Sequence, residues 1–195
     1  MDMYSVVKEN PILAILRNIP LEYTVDYAQA IVDGGISFFE VALNSEHGLK
    51  QIAILRDRFG EKCMIGAGAQ FLLTPGTPID VLQYCAKKDI MLLPGVFTPG
   101  DVATSLEFGY KTMKLFPAGC TPKGYLKALK GPYDEANYIA IGGVTIENIN
   151  DYFKEGYMGV GLASNLMPLS VLKDENWDLG VSYVQKYVSR VKRRV

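Results

Sequence analysis

One histidine, three cysteines and one tryptophan are all that the 195 residues contain of those types. With His47 as the sole histidine, HExxH and multi-histidine metal sites are excluded, and a Ser-His-Asp triad would have to use that one residue. Cys63, Cys85 and Cys120 are odd in number and lack CxxC spacing, so neither a disulfide framework nor a zinc ribbon is indicated. Charge of one sign is also scarce: 20 basic against 21 acidic side chains leave a net charge of -1, short of the basic surplus of a general nucleic-acid binder. No apolar run reaches the roughly 18 residues of a membrane helix, and the opening MDMYSVVKENPIL lacks the apolar core of a signal peptide. P-loop and GxGxxG patterns are missing as well. These absences point to a soluble protein of a reducing cytoplasm, with neither nucleic acid nor membrane as a partner.

Apolar residues make up 49% of the chain, ample for a core, and no linker or low-complexity segment divides residues 1–195, so a single domain is expected. Short apolar runs alternate with amphipathic stretches. The first run is Ile12–Leu16. A helical pattern follows, with Leu21, Val25, Ala28, Ile31 and Val32 on one face, stopped by Gly34-Gly35. SFFEVAL at 37–43 is nearly continuous in apolar residues, as strands buried on both faces are. Further runs lie at 63–67, 70–74, 90–93, 112–116, 138–141 and 158–160, with helices expected at 77–88, 99–108 and 145–155, among others. A last helix carries Val181, Val184, Val188 and Val191 on one stripe and a basic end at 190–194. The Tyr and Met content reads as core and subunit contact. Repeated strand-helix units imply a parallel α/β sheet, and eight strand candidates make a closed (β/α)8 TIM barrel the leading architecture. One interval disputes it. The runs starting at Cys63 and Gln70 are too close for a parallel crossover, which needs roughly a dozen residues. Either 63–74 is one long bent strand or the helix between strands 3 and 4 is absent.

Three features could carry chemistry. Lys114 lies near the C-terminal end of an apolar strand, where barrel enzymes place their catalytic groups. Strand parity puts Thr112, Lys114 and Phe116 on one face. A lysine among apolar side chains loses hydration, its pKa falls, and the neutral amine becomes a nucleophile toward carbonyls. The alternative is a strand-end lysine whose ammonium reaches water. Glu40, in the middle of a buried strand, is costly unless functional or paired. It reads either as a proton-transferring base or as the partner of Arg17 in an ion pair. Third, AIGGVT at 140–145 and GVGLASNL at 159–166 both run from strand into small residues and then toward a helix. Their backbone N–H groups suit a phosphate, although tight turns want glycine in any case. His47 is expected at the surface or at a helix start.

The order ILRNI, FEVALNS, IGAG, LLTPG, LLPGVFTPGD, MKLFPAG, IGGVT and GVGLASNL resembles the 2-keto-3-deoxy-6-phosphogluconate / 4-hydroxy-2-oxoglutarate aldolase family, over residues 11–168. ILRNI with ALNS is most similar to its 6-phosphogalactonate branch. The resemblance implies a class I aldolase on a (β/α)8 barrel, homotrimeric, with no metal and no cofactor. Its substrate would be a phosphorylated keto acid, cleaved to pyruvate and glyceraldehyde 3-phosphate. It makes Lys114 the Schiff-base former, Glu40 the proton shuttle and Arg17 the contact for the substrate carboxylate or hydroxyls. Asn44, Pro94 and Phe116 complete the substrate contacts, and Gly142, Gly143 and Ser164 cradle the phosphate.

This chain departs from the family pattern twice. Asn44 stands where the gluconate branch has arginine, which throws carboxylate binding onto Arg17. Gly66-Ala67-Gly68 runs straight into Ala69-Gln70-Phe71, so the threonine that helps bind pyruvate and the third helix are expected to be lacking. Two other readings therefore stand beside the aldolase: a non-catalytic or altered phosphosugar-binding barrel, and a phosphate-binding barrel enzyme of another kind that has no use for the lysine.

Overall fold

Short apolar runs with both faces covered become the strands of a parallel sheet, and the amphipathic stretches between them become its helical cover. The computed structural model describes residues 2–67 and 70–192. In chain order the elements are α1 (Met3–Glu9), β1 (Ile12–Leu16), α2 (Thr24–Asp33), β2 (Phe38–Val41), α3 (Gly48–Phe59), β3 (Met64–Ile65), β4 (Leu72–Leu73), α4 (Ile79–Lys87), β5 (Leu92–Leu93) and β6 (Gly95–Val96). They continue as α5 (Pro99–Glu107), β7 (Thr112–Leu115), α6 (Tyr125–Lys130), β8 (Asn137–Ile141), α7 (Ile149–Glu155), β9 (Gly159–Leu162), α8 (Leu169–Lys173) and α9 (Trp177–Lys192).

Seven strands form one curled parallel sheet in the order β3-β2-β1-β9-β8-β7-β6, and β4 pairs with β5 in a second, two-stranded sheet. Pro94, which has no N–H for a ladder, separates β5 from β6, so one extended run serves both sheets. Among the described residues no pairing joins β3 to β4, and the expected closed barrel is seen as these two sheets. On either side of the interval, Ala67 takes φ 69° and the Gln70 N–H donates to the Ile65 carbonyl at 3.0 Å. The Gln70 side-chain oxygen in turn accepts from the Ile65 N–H at 2.6 Å. β3 and β4 are separate two-residue strands in different sheets, not one long bent strand over 63–74. Gly68 and Ala69, part of the interval the sequence disputes, lie outside the described residues, as do positions 193 and 194 of the basic C-terminal end.

Strand alternation sorts the core into layers. Ile12, Ala14, Leu16, Phe39, Val41, Met113, Leu115, Tyr138, Ala140, Val160 and Leu162 face the helices. Leu13, Ile15, Phe38, Phe71, Leu93, Ile139 and Ile141 face inward, closed at the N-terminal end by Met3, Val6 and Val7 of α1. Burying each such side chain is worth about 1.5–3 kcal/mol. Two inward-facing glycines make room for this packing. A Cβ at Gly159 would lie 2.8 Å from Val7 Cγ1, and one at Gly161 would lie 2.7 Å from Ile141 Cγ1. No helix among the described residues is long and apolar enough to cross a membrane.

Candidate active site

The inward parity that buries Phe38 and Ile15 continues, two residues later on each strand, to Glu40 and Arg17. On β7 the same parity carries Lys114. The sequence pattern therefore leads three charged side chains to the C-terminal edge of a sheet whose interior is otherwise apolar. Glu40 is 8% exposed and Lys114 is 5% exposed, so the lysine does not reach water as a snorkelling side chain would. Arg17 is exposed at the rim. Among the described residues neither cation lies within the 4.0 Å of an ion pair with Glu40, which sets aside the structural Arg17–Glu40 pair. The three interact through space instead. Burial pushes the Glu40 carboxyl up to about 7 against the pull of Lys114 and Arg17. Burial also brings the Lys114 amine down to about 8, with Glu40 opposing that shift and Arg17 adding to it. Each group is held near the protonation balance that proton transfer and nucleophilic attack at neutral pH require.

The neighbouring loops gather the other residues flagged by the sequence. The Lys114 N–H donates to the Pro94 carbonyl at 2.9 Å, and Lys114 is in register with Gly95 and Ile139. The Lys114 Nζ lies 5.2 Å from the centre of the Phe116 ring. Phe116 in turn packs on Gly142, where a Cβ would sit 3.3 Å from the ring. Asn44 is exposed in the loop after β2, and the next residue ties that loop to the Arg17 turn: the Asn18 N–H donates to the Ser45 hydroxyl at 3.1 Å. Asn18 has φ 55°, a conformation that asparagine tolerates better than most residues. Gly142 and Gly143 have φ 88° and 84°, and Ser164 is exposed just beyond β9. His47 stands apart, at the start of α3, with Glu46 3.9 Å away. Among the described residues no group of three or more His, Cys, Asp and Glu is placed to hold a metal ion.

Several groups at this rim carry no motif. The Asn148 side chain donates to the Gly143 carbonyl at 2.8 Å and accepts from the Thr145 N–H at 2.7 Å. Asn165 donates to the Val144 carbonyl at 2.9 Å, and the Tyr187 hydroxyl donates to the Asn165 carbonyl at 2.8 Å. Only Asn148 had a local signal, three residues after Thr145 at a helix start, where such side chains cap. A cavity of about 820 Å³ lies at the opposite end, lined by Met3, Phe71 and Asn137 among others, and contains none of the charged triplet.

Known proteins of similar sequence and fold point to one family. The profile of the KDPG and KHG aldolase family matches residues 3–182. The 2-dehydro-3-deoxy-6-phosphogalactonate aldolase of Escherichia coli (strain K12) is 30% identical over 199 residues, covering 93% of this chain and 97% of that protein. A solved native KDPGal structure superposes with TM-score 0.85 at 27% identity, covering 94% of this chain and 95% of that one. The KDPG aldolase of Legionella pneumophila, with pyruvate captured as a covalent carbinolamine, also gives 0.85, at 26% identity and coverages of 93% and 95%. Both sequence and fold thus converge on one group of carbon–carbon lyases, and the chain belongs to the KDPG and KHG aldolase family.

Proposed function

We propose that the chain is a class I aldolase that cleaves a 2-keto-3-deoxy-6-phospho sugar acid, of the gluconate or galactonate type, to pyruvate and glyceraldehyde 3-phosphate. The observation that carries this reading is Lys114: a buried amine of lowered basicity, coupled to an equally buried carboxyl on the same inward face. The neutral Nζ attacks the C2 ketone, and the carbinolamine loses water to give an iminium. Glu40, directly or through water, takes the C4-hydroxyl proton as the C3–C4 bond breaks. The bonding pair flows into the iminium, leaving an enamine on Lys114 and releasing the aldehyde. Protonation of the enamine at C3 and hydrolysis then free pyruvate and restore the amine. Arg17 meets the substrate carboxylate or neighbouring hydroxyls; Asn44, Pro94 and Phe116 line the keto-acid end; Gly142, Gly143 and Ser164 receive the phosphate.

A non-catalytic barrel is the weaker reading, since binding alone gives no reason to bury Lys114 beside Glu40. A barrel enzyme of another kind has no use for that lysine either. The run from β5 through Pro94 into β6, which links the two sheets, supports a closed barrel. Exposed Leu43, Leu49 and Leu169 support a homotrimer, and the scarcity of cysteine supports a cytoplasmic setting. The test is covalent. Pyruvate with borohydride should add one pyruvate-derived mass to the intact chain, mapped to the Lys114 peptide and lost in Lys114→Ala. Wild-type protein without added mass, under conditions that label the E. coli relative, overturns the assignment.

A further inference from the structure

Three successive carbonyl oxygens in the turn after β8 are each held by a donor from a different part of the chain. The Gly119 N–H takes the Gly142 carbonyl at 2.8 Å, the Asn148 side chain takes that of Gly143 at 2.8 Å, and the Asn165 side chain takes that of Val144 at 2.9 Å. In a trans peptide the carbonyl and the following N–H point in opposite directions. Fixing the Gly142 and Gly143 carbonyls therefore aims the Gly143 and Val144 N–H groups the other way. Among the described residues neither N–H has a protein acceptor. Positive φ at Gly142 and Gly143 is a backbone form that glycine adopts without strain, and it turns the chain tightly enough to leave these two N–H groups at the loop surface. The next N–H, on Thr145, is withdrawn by Asn148 Oδ1 at 2.7 Å, so the presented pair is specific.

Asn165 is the side chain of this set that crosses from one loop to another. Its own carbonyl accepts from the Tyr187 hydroxyl at 2.8 Å, and Tyr187 is buried in α9 at 4% exposure. Its side chain then reaches back to the turn after β8. We propose that Asn165 is a positioning residue for phosphate recognition. Anchored by Tyr187, it holds the Val144 carbonyl away from the anion and fixes the loop that carries Ser164 against the loop that carries Gly142 and Gly143. This inference rests on the phosphate reading proposed above and names the groups that give that cradle its shape.

The test compares the phosphorylated 2-keto-3-deoxy sugar acid with its dephosphorylated counterpart. In Asn165→Ala the ratio of kcat/KM for the two should fall about tenfold, the scale of one lost hydrogen bond. The fall should come through KM for the phosphorylated substrate, with kcat little altered. Tyr187→Phe should lower the same ratio by roughly two- to threefold, and inorganic phosphate should inhibit Asn165→Ala correspondingly less well. An equal loss on both substrates would mean that Asn165 supports only the fold and would overturn the proposal. So would an unchanged ratio in a background where the wild type discriminates. A wild type that does not discriminate removes the phosphate reading itself, and this proposal with it.

Discussion

Lys114 and Glu40 titrate as a pair, and replacing Glu40 by Gln separates their contributions. Burial holds the lysine at about 8, against 10.5 for an ordinary one. At pH 7 roughly one amine in ten is then neutral, instead of about one in 3,000. The Glu40 carboxylate acts in the opposite sense, because a negative charge favours the ammonium. With no ion pair within 4.0 Å and an effective dielectric constant of about 20, its pull on the amine stays below about 4 kcal/mol. A share of roughly 1–2 pH units is expected. Glu40→Gln should therefore move the deprotonation of Lys114 to lower pH, although it removes the group assigned to proton transfer. The initial rate of borohydride trapping with pyruvate, followed by intact mass across neutral to alkaline pH, reads this directly. In the wild type the rate should rise with a midpoint near 8, shaped at its acid side by the Glu40 ionisation near 7. In the variant the midpoint should drop by about a unit, with a lower ceiling, and the acid-side step should vanish. A wild-type midpoint near 10.5 would refute the desolvation argument. A midpoint that stays put or rises in Glu40→Gln would refute the coupling.

Two further outcomes follow from local geometry. Gly143→Ala forces an L side chain to φ 84° with its Cβ 2.9 Å from the Gly119 Cα. It should cost about 1–2 kcal/mol from backbone strain alone, seen as a lower denaturant midpoint, and should raise KM for the phosphorylated substrate. Asp101→Asn addresses the start of α5, where the carboxylate accepts from the Phe97 and Thr98 N–H groups at 3.0 and 2.7 Å. Burial alone would raise this carboxyl, but hydrogen bonds from Thr98, Phe97 and Thr77 hold it below its ordinary 3.8. Its stabilisation is therefore present above pH 3.8 and lost as pH falls through the folded-state value, so the variant should be less stable at neutral pH by about 1 kcal/mol. In thermal melts the gap to wild type should close as the pH is lowered through that range.

The strands and the charged residues were legible because each rests on a local rule. SFFEVAL and MKLF are apolar runs interrupted once by a charge, and alternation by two assigns that charge to the inner face without any knowledge of the partner strands. What sequence could not weigh was desolvation. Whether Lys114 snorkels or stays buried depends on Phe116, Pro94 and the β8 strand closing around it. The anion-cradle clamp was invisible for a related reason. Asn165 lies 21 residues from Val144 and 22 from Tyr187, and an isolated asparagine in a loop has too many ordinary uses to stand out. The β3–β4 interval was legible as an anomaly, since spacing alone forbids a helix there, but the form of the connection was not. Its described flanks meet through Gln70 bonding both ways to Ile65 and through the Phe71 ring lying over Gly66, where a Cβ would be 2.5 Å away.

That short connection bears on function through its place in the sheet. Arg17 follows β1, Glu40 is on β2, Lys114 on β7, the glycine pair follows β8 and Ser164 follows β9. In space these strands are consecutive, β2-β1-β9-β8-β7, joined by unbroken parallel pairing. The β3–β4 junction falls outside this arc, so the groups assigned to Schiff-base chemistry and to phosphate binding are held in register by hydrogen bonds that never cross it. A defect in the third unit would then act on the pyruvate end of the pocket and on stability before it acted on the Lys114–Glu40 pair. Phe71 provides the link to stability: its ring fills the interior beside Phe38, 5.1 Å between centroids, directly beneath the layer that Glu40 occupies. An aromatic pair at that depth packs the interior beside the short connection, and it adds apolar surface to the same inward face of β2 that carries Glu40 two residues further on.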